Sequence, residues 1–232
     1  MAAVIKVHAL KKHFIMHNQG GIQLPVFSDV DFEVMAGETL ILHGESGVGK
    51  TSLLRMLYGN YKPSSGHILV RHGNDYIDLA TATPRTILAL RRKIIRYVSQ
   101  FLRVIPRVTT LDIVKDPLLA RGLDDVTATT KAKDLLMRLN LSERLWDLAP
   151  ATFSGGEQQR VNIARSFVDP APIFLLDEPT ASLDAKNRDV VVDLIQEARS
   201  NGAAIIGIFH DEKVRDRVAT RRLDLTSYKK AA

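Results

Sequence analysis

The order of apolar and polar residues predicts two kinds of strand in this chain. Over residues 24–34 the apolar side chains fall on one parity and the acidic ones on the other: Val26, Val30, Phe32 and Val34 against Asp29, Asp31 and Glu33. A period of two is typical of a half-exposed strand, most often in an antiparallel sheet. Three other segments do not alternate, namely Thr39–His43, Ile173–Leu176 and Ala203–Phe209. Continuous apolar runs are typical of parallel strands that are covered on both faces.

Helical spacing follows the buried segments. One apolar side runs along Thr51–Tyr58, and the apolar residues of Ala185–Asn201 recur at the same period, with a glycine after each segment. Residues 108–150 show no strand-like alternation, and Val126–Asn140 and Ser142–Leu148 are predicted helices. The chain is therefore predicted to be an α/β protein with a mixed sheet core, an antiparallel β edge and a helical insertion.

Length and composition limit the class of protein. The chain has 232 residues, of which 45% are hydrophobic and 25% charged, a balance typical of one globular domain with a substantial insertion. Its longest apolar run is the seven-residue Ala203–Phe209, which is too short to cross a bilayer, and it has no cysteine for a disulfide framework. The N-terminus lacks an apolar stretch of signal-peptide length, so a cytoplasmic location without membrane insertion is expected.

The net charge of +6 leaves several partners open. Nucleic acid, an acidic protein and an anionic ligand all fit such a balance, and so does a surface that is merely basic. Aromatic residues make up only 6% of the chain, and no recognised nucleic-acid-reading motif is present. Nucleic acid is therefore the least favoured partner.

A glycine-rich segment lies between a predicted strand and a predicted helix. It matches G-x-x-x-x-G-K-[ST] in full and consists of Gly44, Glu45, Ser46, Gly47, Val48, Gly49, Lys50 and Thr51, with Ser52 following. Glycines let backbone N–H groups turn toward phosphate oxygens, and the helix N-terminus adds partial positive charge. Lys50 is predicted to reach the β and γ phosphates and the Thr51 hydroxyl to bind Mg²⁺. A glycine-rich turn without a ligand is the less favoured alternative.

Two acidic residues end the predicted strand Ile173–Leu176. The carboxyl end of a parallel strand faces the crevice in which α/β proteins bind ligands, so Asp177 is predicted to hold Mg²⁺ directly or through water. Glu178 is predicted to act as general base toward the attacking water. Capping of the next turn by one of these acids is the alternative interpretation.

A second candidate anion site begins a predicted helix that runs to about Val168. Ser154, Gly155 and Gly156 present backbone N–H groups at the start of this helix. Ser154 and Glu157 also have the spacing of a capping box, so helix capping alone explains the same residues. Ser154 lies 104 positions after Lys50, and the chain therefore carries two separate candidate phosphate-binding elements.

In combination these motifs resemble the ATP-binding cassette (ABC) ATPases. The resemblance covers essentially the whole chain and includes the phosphate loop, Gln100 in Tyr97-Val98-Ser99-Gln100, the signature Ser154–Gln158, Asp177-Glu178, Ser182-Leu183-Asp184 and His210. It implies a P-loop NTPase of ABC type with ATP and Mg²⁺ as cofactors. It also implies a nucleotide-binding core formed by residues 1–100 and 169–232, and a mainly helical signature subdomain formed by residues 101–168.

The same resemblance implies roles for residues outside the phosphate loop. Gln100 is expected to sense Mg²⁺ and the attacking water, and His210 to contact the γ-phosphate. Asp184 belongs to a segment that crosses between protomers. Phe14 lies where the family stacks an aromatic ring on adenine, although a core Phe is the alternative. Glu157 replaces the family's common Gln but leaves the Ser-Gly-Gly donors intact.

The resemblance also implies a dimer. In this family the signature of one protomer completes the phosphate site of another, so ATP forms part of the interface. The partner is expected to be an identical chain or a related ABC subunit. Neither protomer is expected to hydrolyse ATP efficiently alone.

Segments outside the nucleotide motifs point to a subfamily. Gln23–Val26, residues 99–107, Glu143–Trp146 and most of Leu148–Arg165 resemble the ABC subunits of the bacterial carbon–phosphorus lyase system. That resemblance implies a soluble assembly with other lyase subunits, involved in forming α-D-ribose 1-methylphosphonate 5-triphosphate, although no residue reveals this chemistry. The alternative is a motor subunit of an ABC transporter, of lipoprotein-release or peptide-export type, which docks on a separate membrane subunit.

A basic stretch surrounds Gln100. Residues 79–111 contain no acidic residue and seven basic ones: Arg85, Arg91, Arg92, Lys93, Arg96, Arg103 and Arg107. Because the family couples its partner proteins at the position of Gln100, the stretch is predicted to dock an acidic protein surface. Such docking is sensitive to salt, since exposed charges are screened over ~8 Å at physiological ionic strength. A solvated basic face is the alternative.

Overall fold

The elements follow the order of an α/β chain with a helical insertion. The computed structural model describes residues 2–16, 18, 20–100 and 106–229. Its strands are β1 Ala3–Met16, β2 Ile22–Met35, β3 Thr39–His43, β4 Ser65–His72, β5 Asp75–Asp78, β6 Ile95–Val98, β7 Ile173–Asp177, β8 Ala204–Ile208 and β9 Arg221–Asp224. Its α-helices are α1 Lys50–Leu57, α2 Pro84–Lys93, α3 Thr110–Leu119, α4 Asp125–Arg138, α5 Gly155–Phe167, α6 Ala185–Ser200 and α7 Glu212–Val218.

The five-stranded sheet is parallel, with the order β6-β7-β8-β3-β9. Both of its faces are covered. Leu40 and Leu42 pack into the core shared with α1 and the antiparallel strands, whereas Ile41 packs into the core shared with α3 to α6. Residues of β3 are therefore buried on either side of the sheet, which explains the missing alternation. The predicted buried strands are confirmed as β3, β7 and β8.

The antiparallel strands form a separate four-stranded sheet, with the order β2-β1-β4-β5. The predicted half-exposed strand is confirmed as β2, in which Val30 and Val34 are buried. Val26 differs from the prediction, because it is only half-buried and its neighbour Phe27 is buried instead. The register with β1 shifts here, and Asp29 has a φ of +56°. A bulge of one residue reverses the alternation on one side of it.

The helices agree with the sequence pattern in four places and differ in a fifth. α1, α5 and α6 confirm the predicted helices to within one residue at each end, and α4 confirms the predicted helix Val126–Asn140 to within two. The predicted helix Ser142–Leu148 is wrong, since a single 3₁₀ turn forms there, Glu143–Leu145. The Leu148 carbonyl instead accepts hydrogen bonds from the N–H and the hydroxyl of Thr110, both at 2.9 Å. This segment therefore leaves the helical path to join the start of α3.

Four strands of the parallel sheet end side by side at one edge, because β6, β7, β8 and β3 are neighbours. β3 leads into the glycine-rich loop, β6 into Gln100, β7 into Glu178 and β8 toward His210. Ligands bind at this edge in open parallel sheets. The topology therefore gathers candidate residues that are far apart along the chain.

The predicted α/β class is confirmed by these two sheets and their helices. The division into residues 1–100 with 169–232 and residues 101–168 stays a prediction. Of the helices in the described ranges, none is both long and apolar enough to cross a membrane.

Candidate nucleotide site

The glycine-rich loop runs from the end of β3 into the first turn of α1. Gly49 caps the helix with a φ of +104°, a conformation that L side chains rarely adopt. A Cβ atom at this position would lie 2.4 Å from Cγ1 of Val26. The loop therefore needs glycine here for both its backbone conformation and its close approach to β2.

Lys50 lies folded over the loop that carries it. Its Nζ donates hydrogen bonds to the carbonyl of Gly44 at 2.6 Å and to the carbonyl of Glu45 at 2.8 Å. A phosphate oxygen is a stronger partner for an ammonium group than a neutral carbonyl. The arrangement thus holds one cation at the loop, and its contact with phosphate stays a prediction.

Asp177 lies at the end of β7, with 4% of its surface exposed. Its Oδ1 accepts a hydrogen bond from the Thr51 hydroxyl at 3.2 Å, and its Oδ2 accepts one from the Tyr97 hydroxyl at 2.8 Å. Burial raises the pKa of Asp177, and the nearby charge of Glu178 raises it further, against the two hydrogen bonds that lower it. Burial and the Asp177 charge also raise the pKa of Tyr97, which stays a neutral donor. The chain thus holds a buried carboxylate that a cation would stabilise.

Replacing Asp177 by Asn is expected to raise the Tm of the nucleotide-free chain. A raised pKa in the folded state means that ionised Asp177 reduces stability at neutral pH, and that this cost disappears as pH falls through that pKa. Asn removes the charge and keeps the shape. Thermal melts with and without Mg-ATP measure both consequences, since the variant is also expected to lose most of the stabilisation by Mg-ATP. A lower Tm for the nucleotide-free variant at neutral pH would contradict this account.

Glu178 lies at the centre of the predicted hydrolytic residues. Its Oε1 lies 2.7 Å from Nε2 of His210, and its Oε2 accepts a hydrogen bond from Nε2 of Gln100 at 3.1 Å. The Glu178 side chain is 18% exposed, whereas that of His210 is 67% exposed. Glu178 also has a φ of +52°, which is strained for a residue with a Cβ. The structure brings these three predicted residues together, and their catalytic roles stay predictions.

The oxygen donors beside Glu178 fit Mg²⁺. The Thr51 hydroxyl and the Asp177 carboxylate lie within hydrogen-bond distance of each other. Gln100 carries an amide oxygen at the same edge of the sheet. In the described part of the chain, no three His, Cys, Asp or Glu side chains form a closed metal cage. Mg²⁺ is usually held by one or two carboxylates together with water and substrate phosphates. An open oxygen site of this kind therefore suits the ion.

A cleft of about 310 Å³ joins the phosphate loop to Phe14. It is lined by residues of β1, β2, the loop and the ends of β7 and β8, among them Phe14, Lys50, Glu178 and His210. Phe14 is half-buried and packs edge-on against Tyr61, with ring centroids 5.6 Å apart. A half-exposed ring that lines this cleft is compatible with adenine stacking. That role stays a prediction.

The signature residues lie outside this cleft. Ser154 caps α5 through the predicted capping box, since its Oγ accepts a hydrogen bond from the Glu157 N–H and the Glu157 carboxylate accepts one from the Ser154 N–H. Hydrogen bonding to Ser154 lowers the pKa of Glu157. Gly156 packs against the Ser182 carbonyl, which would lie 2.9 Å from an added Cβ. Asp184 caps α6 through Asn187. These residues are not among those that line the cleft.

Two further groups of polar residues were not predicted as part of the site. Tyr97 is on β6, one strand away from Asp177, and only the sheet order brings them together. Gln159 and Asn162 lie buried on α5 and bind the backbone beside Gln100 and Glu178. Gln159 and Asn162 are polar residues three positions apart on the buried side of a helix. That spacing is the signal that would have identified them.

Comparison with known proteins adds relatives of similar length. The sequence profile of the family described as "ABC transporter" matches residues 27–181. The lipoprotein-releasing system ATP-binding protein LolD of Shewanella oneidensis is 37% identical over 216 residues, 93% of this chain and 90% of LolD. The uncharacterized ABC transporter ATP-binding protein YbbA of Escherichia coli is 38% identical over 210 residues, 90% of this chain and 88% of YbbA. A dimer of the ATP-binding cassette MJ0796 with ADP and Pi has a TM-score of 0.84 at 27% identity, covering 95% of this chain and 93% of that one.

The transporter relatives contradict the prediction of a carbon–phosphorus lyase component and of lyase subunits as partners. They fit the alternative of a transporter motor instead. One of the segments behind that prediction, Glu143–Trp146, contributes a buried side chain to the core. Trp146 is 7% exposed, and its indole N–H donates to the Leu141 carbonyl. Residues 101–105 lie outside the described residues.

Proposed function

Because the chain belongs to the ABC transporter family of ATPases, we propose that it is the motor subunit of a transporter of lipoprotein-release type, docked on a separate membrane subunit. As a member of this family it has the ABC ATPase fold and binds ATP with Mg²⁺. The similarity to LolD supports the proposed role in transport, because it extends over nearly the whole length of LolD. The hydrolytic half depends on one observation, the contact of Glu178 with Gln100 and His210 beside the phosphate loop.

The site residues divide the work of hydrolysis. Lys50 leaves the loop carbonyls to bind phosphate oxygens, while Thr51 and Asp177 hold Mg²⁺, which neutralises phosphate charge when bound. Glu178 accepts a proton from water as the water oxygen attacks the γ-phosphorus. The bond from that phosphorus to the β–γ bridging oxygen breaks, which gives ADP and phosphate. Gln100 and His210 hold the two oxygens of Glu178 in the resting chain.

A second ABC subunit completes each site. The Ser154 turn lies outside the cleft of its own chain, yet its exposed Ser154 and Gly155 present a helix N-terminus, which favours anions. Solved relatives include dimers of the cassette MJ0796. The proposed dimer places this turn against the γ-phosphate held by the partner, so that ATP joins the two chains and hydrolysis releases them.

The transport assignment is tested by purification of the native protein from membranes in mild detergent. Mass spectrometry of the co-eluting chains is expected to identify an integral membrane permease at a fixed ratio to this subunit. Purification with only soluble chains would contradict the proposal. A permease associated with amino-acid or drug transport would keep the motor role and correct the transported substrate.

A groove of about 640 Å³ between α2, α3 and α5 is the proposed docking site for the membrane subunit. Four arginines line it together with one acid, Asp116: Arg91, Arg92, Arg96 and Arg165. Arg165 lies 4.0 Å from Asp116, whereas Arg92 is exposed and has no ion pair with the described residues. The excess of guanidinium groups favours an acidic segment of the partner.

The structure corrects the predicted basic face at two positions. Arg96 lines the groove, but it is buried and its charge is paired with Asp169. Arg91 donates to the Tyr58 carbonyl and to Asn60, which leaves fewer of its N–H groups free for a partner. Arg103 lies outside the described residues.

Arg92→Glu is expected to reduce capture of the membrane partner several-fold at low salt. The variant places a carboxylate where an acidic segment docks, and the effect should shrink at high ionic strength because exposed charges are screened. Pull-downs in detergent at low and high salt measure this. Lys131→Glu is the matched control, since it makes the same charge change at an exposed position of α4 outside the groove. Equal capture by Arg92→Glu and Lys131→Glu would place the dock elsewhere.

A further inference from the structure

α5 contains two buried amide side chains that lie outside the nucleotide cleft. Gln159 is 2% exposed and Asn162 is 6% exposed, and their spacing of three puts them on one face of the helix. Their neighbours Val161, Ile163 and Ala164 are apolar and buried. A buried amide is unfavourable unless it is hydrogen-bonded. The hydrogen-bond partners of these two side chains therefore show which part of the structure they support.

Both amides hold backbone carbonyls of the nucleotide site. Gln159 Nε2 donates to the Ser99 carbonyl at 3.3 Å and to the Pro179 carbonyl at 3.2 Å. Asn162 Nδ2 donates to the same Ser99 carbonyl at 2.7 Å and to Oε1 of Gln159 at 3.3 Å. An amide NH₂ group has two donors, so all the donors of both side chains are engaged. We call Gln159 and Asn162 the amide clamp.

The amide clamp holds the two segments that carry the Gln100–Glu178 hydrogen bond. Ser99 immediately precedes Gln100, and Pro179 immediately follows Glu178. The backbone of Glu178 is in a strained conformation, which persists only when its surroundings fix it. A shift of α5 therefore moves the supports of both residues at once.

The N-terminal end of α5 is the Ser154 turn. Gln159 comes five positions after Ser154, and a helix rises about 1.5 Å per residue, so the turn and the clamp belong to one short rigid segment. We propose that Gln159 and Asn162 are positioning residues that link nucleotide binding at the Ser154 turn to the placement of Gln100 and Glu178. The inference rests on the proposed dimer, in which that turn meets the nucleotide of the partner. Each site then becomes competent only when the other is filled.

Two isosteric variants remove the clamp with little change in volume. Gln159→Met removes both carbonyl contacts of Gln159, and Asn162→Leu removes the shorter bond to Ser99. The expected result is a fall of about tenfold or more in kcat, because misplacement of a reacting group by about 1 Å costs up to about 10²-fold. The Hill coefficient for ATP is expected to fall toward 1. The affinity of a single copy for ATP is expected to stay unchanged, since the clamp does not line the cleft.

Ser166→Ala is the matched control. Ser166 is also buried on α5, but its hydroxyl donates to the Asn162 carbonyl within the same helix and not to the nucleotide site. It is expected to keep wild-type kcat and cooperativity. Hydrogen exchange of a peptide that covers residues 95–100 gives a readout without turnover. In a Glu178→Gln background, ATP is expected to protect this peptide when the clamp is intact and to protect it much less in the clamp variants.

The outcomes separate the two proposals. Failure of Glu178→Gln chains to pair on addition of Mg-ATP would overturn the proposed dimer itself. Pairing with unchanged cooperativity and unchanged protection in a folded clamp variant would overturn the clamp alone. If Asn162→Leu does not fold, Gln159→Met tests the same link through Pro179.

Discussion

Replacing Glu178 by Gln is expected to slow ATP turnover by about 10²–10⁴-fold, the usual contribution of a general base. Gln keeps the shape of the side chain but cannot accept the proton of the attacking water. Because Lys50, Thr51 and Phe14 are untouched, ATP affinity is expected to stay within about twofold of the wild-type value, since each 1.4 kcal/mol of lost contact would cost tenfold. Uncleaved ATP should then hold two copies together. Steady-state phosphate release and sedimentation with Mg-ATP measure the two effects.

Glu143→Gln is the control for this substitution. Glu143 is exposed at the 3₁₀ turn after α4. The substitution makes the same chemical change at a position that is not part of the phosphate loop. Its turnover is expected to match that of the wild type. Wild-type turnover in Glu178→Gln would show that another group accepts the proton, with His210 as the next residue to test.

Asp169→Asn is expected to lower the free energy of unfolding by about 3–5 kcal/mol, because it leaves a buried charge without its partner. The Asp169 side chain is 3% exposed and pairs with Arg96, which is 10% exposed, and with Arg121 at 2.5 Å. Arg96 also donates to the carbonyls of Arg91 and Arg92 at the end of α2, while its Nε has no partner in the described residues. For a chain of this size each kcal/mol lowers the Tm by about 2–4 °C. Denaturant titration and thermal melts measure the loss.

Asp189→Asn is the matched control for stability. Asp189 pairs with Arg217, but their side chains are 60% and 46% exposed. Exposed ion pairs contribute about 0–1 kcal/mol, so little change in Tm is expected. Similar Tm values for Asp169→Asn and Asp189→Asn would mean that the Arg96 site admits water on loss of the carboxylate.

Local patterns predicted the parts of the site that are contiguous in the sequence. The loop from Gly44 to Thr51 lies between β3 and α1 as expected, and Asp177 and Glu178 end β7. Periodicity was less informative where bulges interrupt it. β1 was not predicted, because Ala9 has a φ of +44° and the register with its neighbours shifts beside it. The same effect moved the buried position of β2 from Val26 to Phe27.

The charge of a residue did not show whether its side chain lies on the surface or in the core. Arg96 and Arg92 belong to one basic stretch of the sequence, yet Arg96 is buried against Asp169 and Arg92 is exposed. Asp169 lies 73 positions after Arg96. A pair at that separation depends on the order of the strands and on the packing of α5, which no window of neighbouring residues contains.

Short stretches of sequence are sufficient to predict the phosphate loop, the acids at the end of a buried strand and the capped turn at Ser154. Each of these depends on residues that are adjacent in the chain, where spacing fixes local conformation. Three sets of contacts depend on the tertiary fold instead. Gln100 and His210 both contact Glu178, Tyr97 donates to Asp177, and Gln159 and Asn162 donate to the backbone at Pro179 and Ser99. These contacts arise because parallel strands bring their carboxyl ends to one edge of the sheet. Strand order is set by packing over the whole chain and not by local periodicity.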